Sequence, residues 1–193
     1  MEATQTKLLD ISVGLFAEQG FSGVSMRAIA RAAGITQAAI YHHFKNKEAL
    51  YFAALEHVYA GQTTDLVNAA SREADPERRL AVSVQRLLKM FDEDSRFRRL
   101  YQRELLEGND ERLKLMVEGV FGNLHQFLLE LMAELAPKGD AHLMVLDLSG
   151  LIIHHIEARK LSALLKSGRA KHQRLSYLAE HITSLLLNGA QTS

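Results

Sequence analysis

The chain has 193 residues, with 23 Lys and Arg against 23 Asp and Glu. Its formal charge is therefore zero, which taken whole argues against a general nucleic-acid binder. It has no Cys, which excludes a disulfide framework, zinc fingers, thiolate catalysis and iron–sulfur ligation, and fits a reducing compartment. A 47% hydrophobic content with 2 Pro and 12 Gly is ordinary globular usage. No apolar run approaches the ~18 residues of a membrane span. Met1 to Thr6 is acidic and polar, without the basic start and apolar centre of a signal peptide. The expectation is a cytoplasmic protein with no membrane contact.

Almost everything reads as helix, and caps punctuate about nine segments. The first runs from about Thr4 to Gln19, with Leu8, Ile11 and Leu15 on one face and Gly20 in the left-handed position at its end. Ser25 caps a second that stops at Gly34. Thr36 caps a third reaching about Phe44, and Asn46 caps a long fourth to about Glu73. Asp75-Pro76 opens a fifth to about Phe91. Ser95 caps a sixth ending at Gly108, and Asp110 a seventh running to about Ala136. Asp140 starts an eighth to about Lys166, and a ninth runs from about Lys171 to Asn188, ended by Gly189. The fold class is all-α.

The most informative stretch is Ser25 to Phe44, two short helices joined by the tight turn Gly34-Ile35. Ala30 must be small where the helices cross, Gly34 supplies a left-handed turn, and Ile40 and Phe44 point inward. That leaves Gln37, Ala38, Tyr41 and His42 on or near the outer face. Small and polar residues at a helix start suit entry into a major groove. The local charge agrees. The 29 residues from Gln19 to Lys47 contain Arg27, Arg31, His42, His43, Lys45 and Lys47 and no acid. An ordinary helical hairpin fits the Ala-Gly-Ile spacing as well; the charge window favours DNA.

Three elements at fixed spacing carry a family resemblance. They are a helix ending Phe16-Ala17-Glu18-Gln19-Gly20-Phe21, the Ser25-capped helix, and Tyr41-His42-His43-Phe44-Lys45-Asn46-Lys47-Glu48. Together, over roughly Thr6 to Leu55, they resemble the N-terminal domain of TetR/AcrR-family transcriptional regulators. The resemblance implies a three-helix DNA-binding domain over residues 1–46 and a helical regulatory and dimerisation domain over 47–193. It implies that Ser25 and Arg27 lie at phosphate or the groove edge, and that Thr36, Gln37 and Ala38 start the recognition helix. Gln37 is the candidate for base-edge hydrogen bonds. Tyr41, His43 and Lys47 would meet backbone phosphate, with His42 and Lys45 close by. Family members often carry a basic residue in place of Gln37 and Gly in place of Ala38, so the operator sequence does not follow from the resemblance.

The remaining chain has no comparable motif. The eighth helix is apolar on most sides, and the ninth carries Leu175, Leu178, Ile182, Leu185 and Leu186 as a stripe. Both could fill one monomer's core; the family pattern joins them to their two-fold mates as a homodimer. Phe91, Tyr101, Phe121, His125 and His154 are candidates for a pocket taking an apolar or amphipathic small-molecule effector, although plain core accounts for aromatic residues at such spacing too. Gly119 and Gly122 interrupt the seventh helix, marking either a kink or a close contact. Enzyme motifs are missing: no His-Glu-x-x-His, Gly-x-Ser-x-Gly, phosphate loop or Gly-x-Gly-x-x-Gly occurs. His154-His155-x-Glu157 lacks a third metal ligand, so no metal or cofactor is expected. The sequence therefore reads as a homodimeric, ligand-responsive transcriptional regulator, a repressor on a near-palindromic operator of double-stranded DNA. An all-α carrier or enzyme, and a DNA-binding regulator without a small-molecule ligand, stay open as alternatives.

Overall fold

The computed structural model describes residues 2–192, with side chains for residues 5–189. Among the described residues there is no strand. In chain order the helices are α1 (Glu2–Gly23), α2 (Met26–Ala33), α3 (Gln37–His43), α4 (Lys47–Ala70), α5 (Pro76–Glu93), α6 (Ser95–Glu107) and α7 (Asp110–Met116). A π turn (Val117–Phe121) follows, then α8 (Gly122–Leu135), α9 (Ala141–Glu157), α10 (Arg159–Leu164), a 3₁₀ turn (Ala170–Gln173) and α11 (Leu175–Thr192).

Most of the helix starts follow from local chemistry. Side-chain oxygens of Ser25, Thr36, Asn46 and Asp140 each accept the backbone N–H three residues on, at 2.8–3.1 Å. Asp75 accepts from Glu77, with Pro76 in the first turn where its missing N–H costs nothing.

Several expected segments differ. Asn109, not Asp110, caps α7, its side chain accepting from Arg112 N. Ser95 is itself the first residue of α6. The single helix expected from Asp110 to Ala136 is broken by the π turn, which holds Gly119 and stops at Gly122. The helix expected from Asp140 to Lys166 breaks at Ala158, whose N–H is shared between the His154 and Ile156 carbonyls. The restart is pinned by Arg159, which donates to Asp92 at 2.6 Å. The last helix begins at Leu175 after the 3₁₀ turn, in which His172 Nδ1 accepts from Arg169 N. Gly189 does not end it. A glycine inside a helix is unfavourable by only ~1 kcal/mol against Ala, and α11 continues to Thr192.

The chain divides into two compact units, Met1–Gly61 with Ser95–Gly122, and Gln62–Asp94 with Asn123–Ser193. The expected boundary between residues 46 and 47 falls inside the first. There, α1 packs on α2 and α6, and α2 on α3. Val13, Phe16, Ile29, Ile40, Leu50 and Leu55 are completely buried. Burying each such side chain contributes about 1.5–3 kcal/mol. In the second unit α5 packs on α9 and α11, and α11 on α9. Their buried stripes are Leu80, Val84 and Leu88; Val145, Leu148 and Ile152; and Leu178 and Ile182. No helix among the described residues is long and apolar enough to cross a membrane.

Candidate nucleic-acid interface

The turn between α2 and α3 is built for two helices meeting at close quarters. Gly34 has φ 71° and ψ 29°, a left-handed conformation that a Cβ would disfavour. Its N–H bonds the Ala30 and Arg31 carbonyls and closes α2. Ala30 and Ile29 are buried on one side of the turn and Ile40 on the other. With Ile40 inward, the opposite face of α3 is left in solvent. Gln37, Ala38, Tyr41, His42 and His43 are all exposed, Tyr41 by 48%.

Ser25, Arg27, Thr36 and Lys45 are exposed as well. Nine of the ten residues expected at DNA therefore reach solvent. At its start α3 carries the Thr36 cap, which accepts from Ala39 N, and no acid in its first turn. His42 and His43 meet edge to face, with ring centroids 5.2 Å apart and planes at 76°.

Lys47 is the exception. It is half-buried, and its Nζ donates to the Phe21 carbonyl at 2.9 Å and the Val24 carbonyl at 3.0 Å. It also lies 4.2 Å from the Phe21 ring centroid. Two of its three donors tie the α1–α2 turn to the start of α4. Sequence reading missed this role because the partners lie 23 and 26 positions away.

The residues named for an effector pocket separate. Tyr101 and Phe121 meet edge-on in the first unit at 5.7 Å, and Tyr59 meets Phe121 at 5.0 Å. Tyr59 is absent from the expected set, although it sits eight residues beyond Tyr51 on the buried stripe of α4. Burial raises the Tyr101 pKa, so its phenol stays a donor. In the second unit Phe91 is buried, and His125 faces His142 at 6.1 Å. His154 is exposed and lines a cleft of about 410 Å³ with His155, His172 and His181. Burial, then His181 and His154, hold the His155 pKa below its usual range. Among the described residues no three His, Asp or Glu side chains are grouped to hold a metal ion.

Comparison with known proteins agrees with this geometry. The profile of bacterial regulatory proteins of the tetR family matches residues 8–54. That of the C-terminal domain of the HTH-type transcriptional dual regulator CecR matches residues 76–190. The nucleoid occlusion factor SlmA of Glaesserella parasuis is 25% identical over 172 residues, 88% of this chain and 85% of its own. The repressor KstR2 of Rhodococcus jostii is 50% identical over 46 residues, 24% of this chain and 22% of its own. Among solved structures, FadR of Bacillus subtilis in complex with stearoyl-CoA has a TM-score of 0.76 at 20% identity, covering 95% of this chain and 97% of its own. AibR in complex with isovaleryl coenzyme A and operator DNA has a TM-score of 0.71 at 19% identity, covering 95% and 98%. KstR2 is named a transcriptional repressor and FadR a transcriptional regulator, and none of the four is named as an enzyme. With one profile over residues 8–54 and the other over more than half the chain, this protein belongs to the tetR family of DNA-binding transcriptional regulators, with a C-terminal domain of the CecR type.

Proposed function

We propose that the chain is a homodimeric, ligand-responsive repressor that sets α3 of each subunit into the major groove of a near-palindromic operator. The observation that carries this reading is the solvent-facing side of α3, polar and acid-free from Thr36 to Lys47, on a turn that only Gly34 closes without strain. In this reading Gln37 reads a base edge, and Ser25, Arg27, Tyr41, His43 and Lys45, all exposed, meet phosphate. Lys47 adds a phosphate contact beside its two carbonyl bonds. A two-fold pair of recognition helices needs a dimer. Leu143, Leu146 and Leu185 on the outward side of α9 and α11 are about half exposed and line an open groove of about 710 Å³ that a second copy would cover.

The effector is an acyl thioester of coenzyme A. Two structural relatives hold such molecules, stearoyl-CoA in FadR and isovaleryl coenzyme A in AibR. In this chain the aromatic cluster of Tyr59, Tyr101 and Phe121 lies at a π turn, a local form frequent at functional sites. Release of DNA requires the ligand to bind the DNA-incompetent state more tightly; equal affinity for both states would shift nothing. The test uses DNA selected from a random duplex pool by the purified protein. Stearoyl-CoA and isovaleryl-CoA are titrated against the complex, with free CoA as control. Release by an acyl-CoA and not by free CoA supports the reading; indifference to both refutes the effector class. The CecR-type domain belongs to a protein described as a dual regulator, which favours activation at some promoters as a second reading. Reporter transcription in cells with and without the protein separates the two.

A further inference from the structure

Beneath the DNA-reading helices, in the same unit, lies a cluster of charge that DNA contact does not explain. Glu104 is 1% exposed and Arg112 is 9% exposed. Glu104 accepts from the Tyr51 hydroxyl at 2.5 Å and from Arg112 Nε at 2.9 Å. Arg112 Nη2 donates to Glu107. Burial, then the hydrogen bond to Glu104, push the Tyr51 pKa far up, so its phenol remains the donor. Against well-packed apolar residues, a buried ion pair adds little stability, but removing one partner strands the other. Such a cluster therefore fixes geometry more than it adds free energy.

What it fixes is the turn between α1 and α2. Arg112 lies 4.6 Å from the Phe21 ring, which also carries Lys47 at 4.2 Å. At Gly20, φ 75° and ψ 170° break α1, and the N–H partners that the Ala17 and Glu18 carbonyls would have in a continuous helix are displaced. Arg103 takes both carbonyls, at 3.2 and 2.7 Å. A Cβ on Gly20 would stand 3.1 Å from Arg103 Nη1 and from Glu107 Oε1. Thus α6 holds the Ala17 and Glu18 carbonyls and α7 packs on the Phe21 ring, just ahead of the Ser25 cap that starts α2.

We infer that Arg103, Glu104 and Arg112 are positioning residues for DNA binding. They touch no DNA. They hold the α1–α2 turn so that α2 and α3 meet DNA at one fixed angle, and a displacement of α6 and α7 is felt as a change in sequence-specific affinity. This rests on the reading of α3 as the DNA-contacting helix.

The test compares full-length wild type with Arg103→Met, Arg103→Lys and Glu104→Gln on two duplexes. One is selected by the wild type from a random pool and the other is an unselected random duplex. Arg159→Met, which breaks the ion pair with Asp92 in the other unit, serves as a control for lost stability alone. The expected result is a tenfold or greater loss on the selected duplex for Arg103→Met, with random-duplex binding changed less than twofold. Arg103→Lys recovers part of the loss, and Arg159→Met leaves the selected-to-random ratio unchanged while lowering the melting temperature. If Arg103→Met does not fold, Glu104→Gln carries the same expectation. Wild-type affinity in the folded variants would overturn the proposal, and so would an equal loss on both duplexes, which signals lost charge rather than lost position. A wild type that bound neither duplex would overturn the α3 reading beneath it.

Discussion

Lys47 is placed at the first residue of α4, where its charge opposes the helix dipole by ~0.3–1 kcal/mol. It is tolerated because its ammonium is bonded to the Phe21 and Val24 carbonyls. Replacing Lys47 by Met keeps most of the stem and removes both bonds. Hydrogen bonds to a charged group contribute about 1.5–3 kcal/mol each when well shielded, and a half-buried ammonium belongs at or below the low end. Two such bonds, less the dipole penalty relieved by the substitution, leave a loss of about 1–2 kcal/mol. At ~2–4 °C per kcal/mol for a chain of this size, the melting temperature drops by about 2–8 °C. Lys45→Met removes an equal charge from an exposed position two residues away and should stay within ~0.5 kcal/mol of wild type. Calorimetry or circular-dichroism melts of the two variants, side by side, read the difference. If both melt with the wild type, the Lys47 bonds hold nothing and the reasoning fails. In the same pair, Lys45→Met should flatten the salt dependence of DNA binding by about one unit.

The His-lined cleft makes stability pH-dependent. His155 takes up its proton at a lower pH in the folded chain than in the unfolded one, where the usual value is 6.5. The unfolded chain therefore binds more protons at this group in that interval, and the His155 contribution to stability falls as pH is lowered through it and is constant above it. Melts from pH 8 to pH 5 should show this decline, and His155→Asn should make it shallower; an unchanged slope would remove His155 as a contributor. Leu146→Asp should leave the folded monomer nearly as stable, because Leu146 is already 52% exposed, yet convert dimer to monomer in light scattering. A variant that stays dimeric would show that the α9–α11 face is not the interface. Thr36→Ala, which deletes the cap on α3, should cost ~1 kcal/mol and weaken DNA binding through loss of the helix start; unchanged stability and binding would refute the cap's importance.

The sequence was most legible where structure depends on neighbours a few residues apart. Ser25, Thr36, Asn46, Asp75 and Asp140 each bond an N–H two or three positions on, and each was readable as a cap. Gly34 was readable for the same reason. Asn109 and Asp110 are indistinguishable as caps in the sequence because both residue types serve there, and a one-residue choice leaves no periodic trace. Breaks inside long apolar segments were not legible. The π turn adds a residue to one helical turn without disturbing the run of apolar side chains, and the break at Ala158 is fixed near Arg159 by an Asp92 lying 67 positions earlier. The exposed set on α3 followed from Ile40 facing inward. The second role of Lys47, and the grip of Arg103 and Arg112 on the α1–α2 turn, depend on contacts between distant segments that no spacing rule encodes. The proposed pocket residues are aromatic or polar side chains at helical spacing. That pattern distinguishes a buried stripe from a surface but not one unit of the chain from another, and Tyr101 with Phe121 lie in one while His154 lies in the other.

The most direct test of α3 as the DNA-reading helix is a competition measurement across salt concentrations. The wild type and Gln37→Ala are each titrated with the selected duplex and with variants changed at single base pairs. Wild-type binding should be sequence-specific and strengthen as salt falls, with Gln37→Ala losing ~1–3 kcal/mol of preference at one base pair and keeping its salt slope. Unchanged discrimination at every base pair, or no binding to any duplex at low salt, would contradict it.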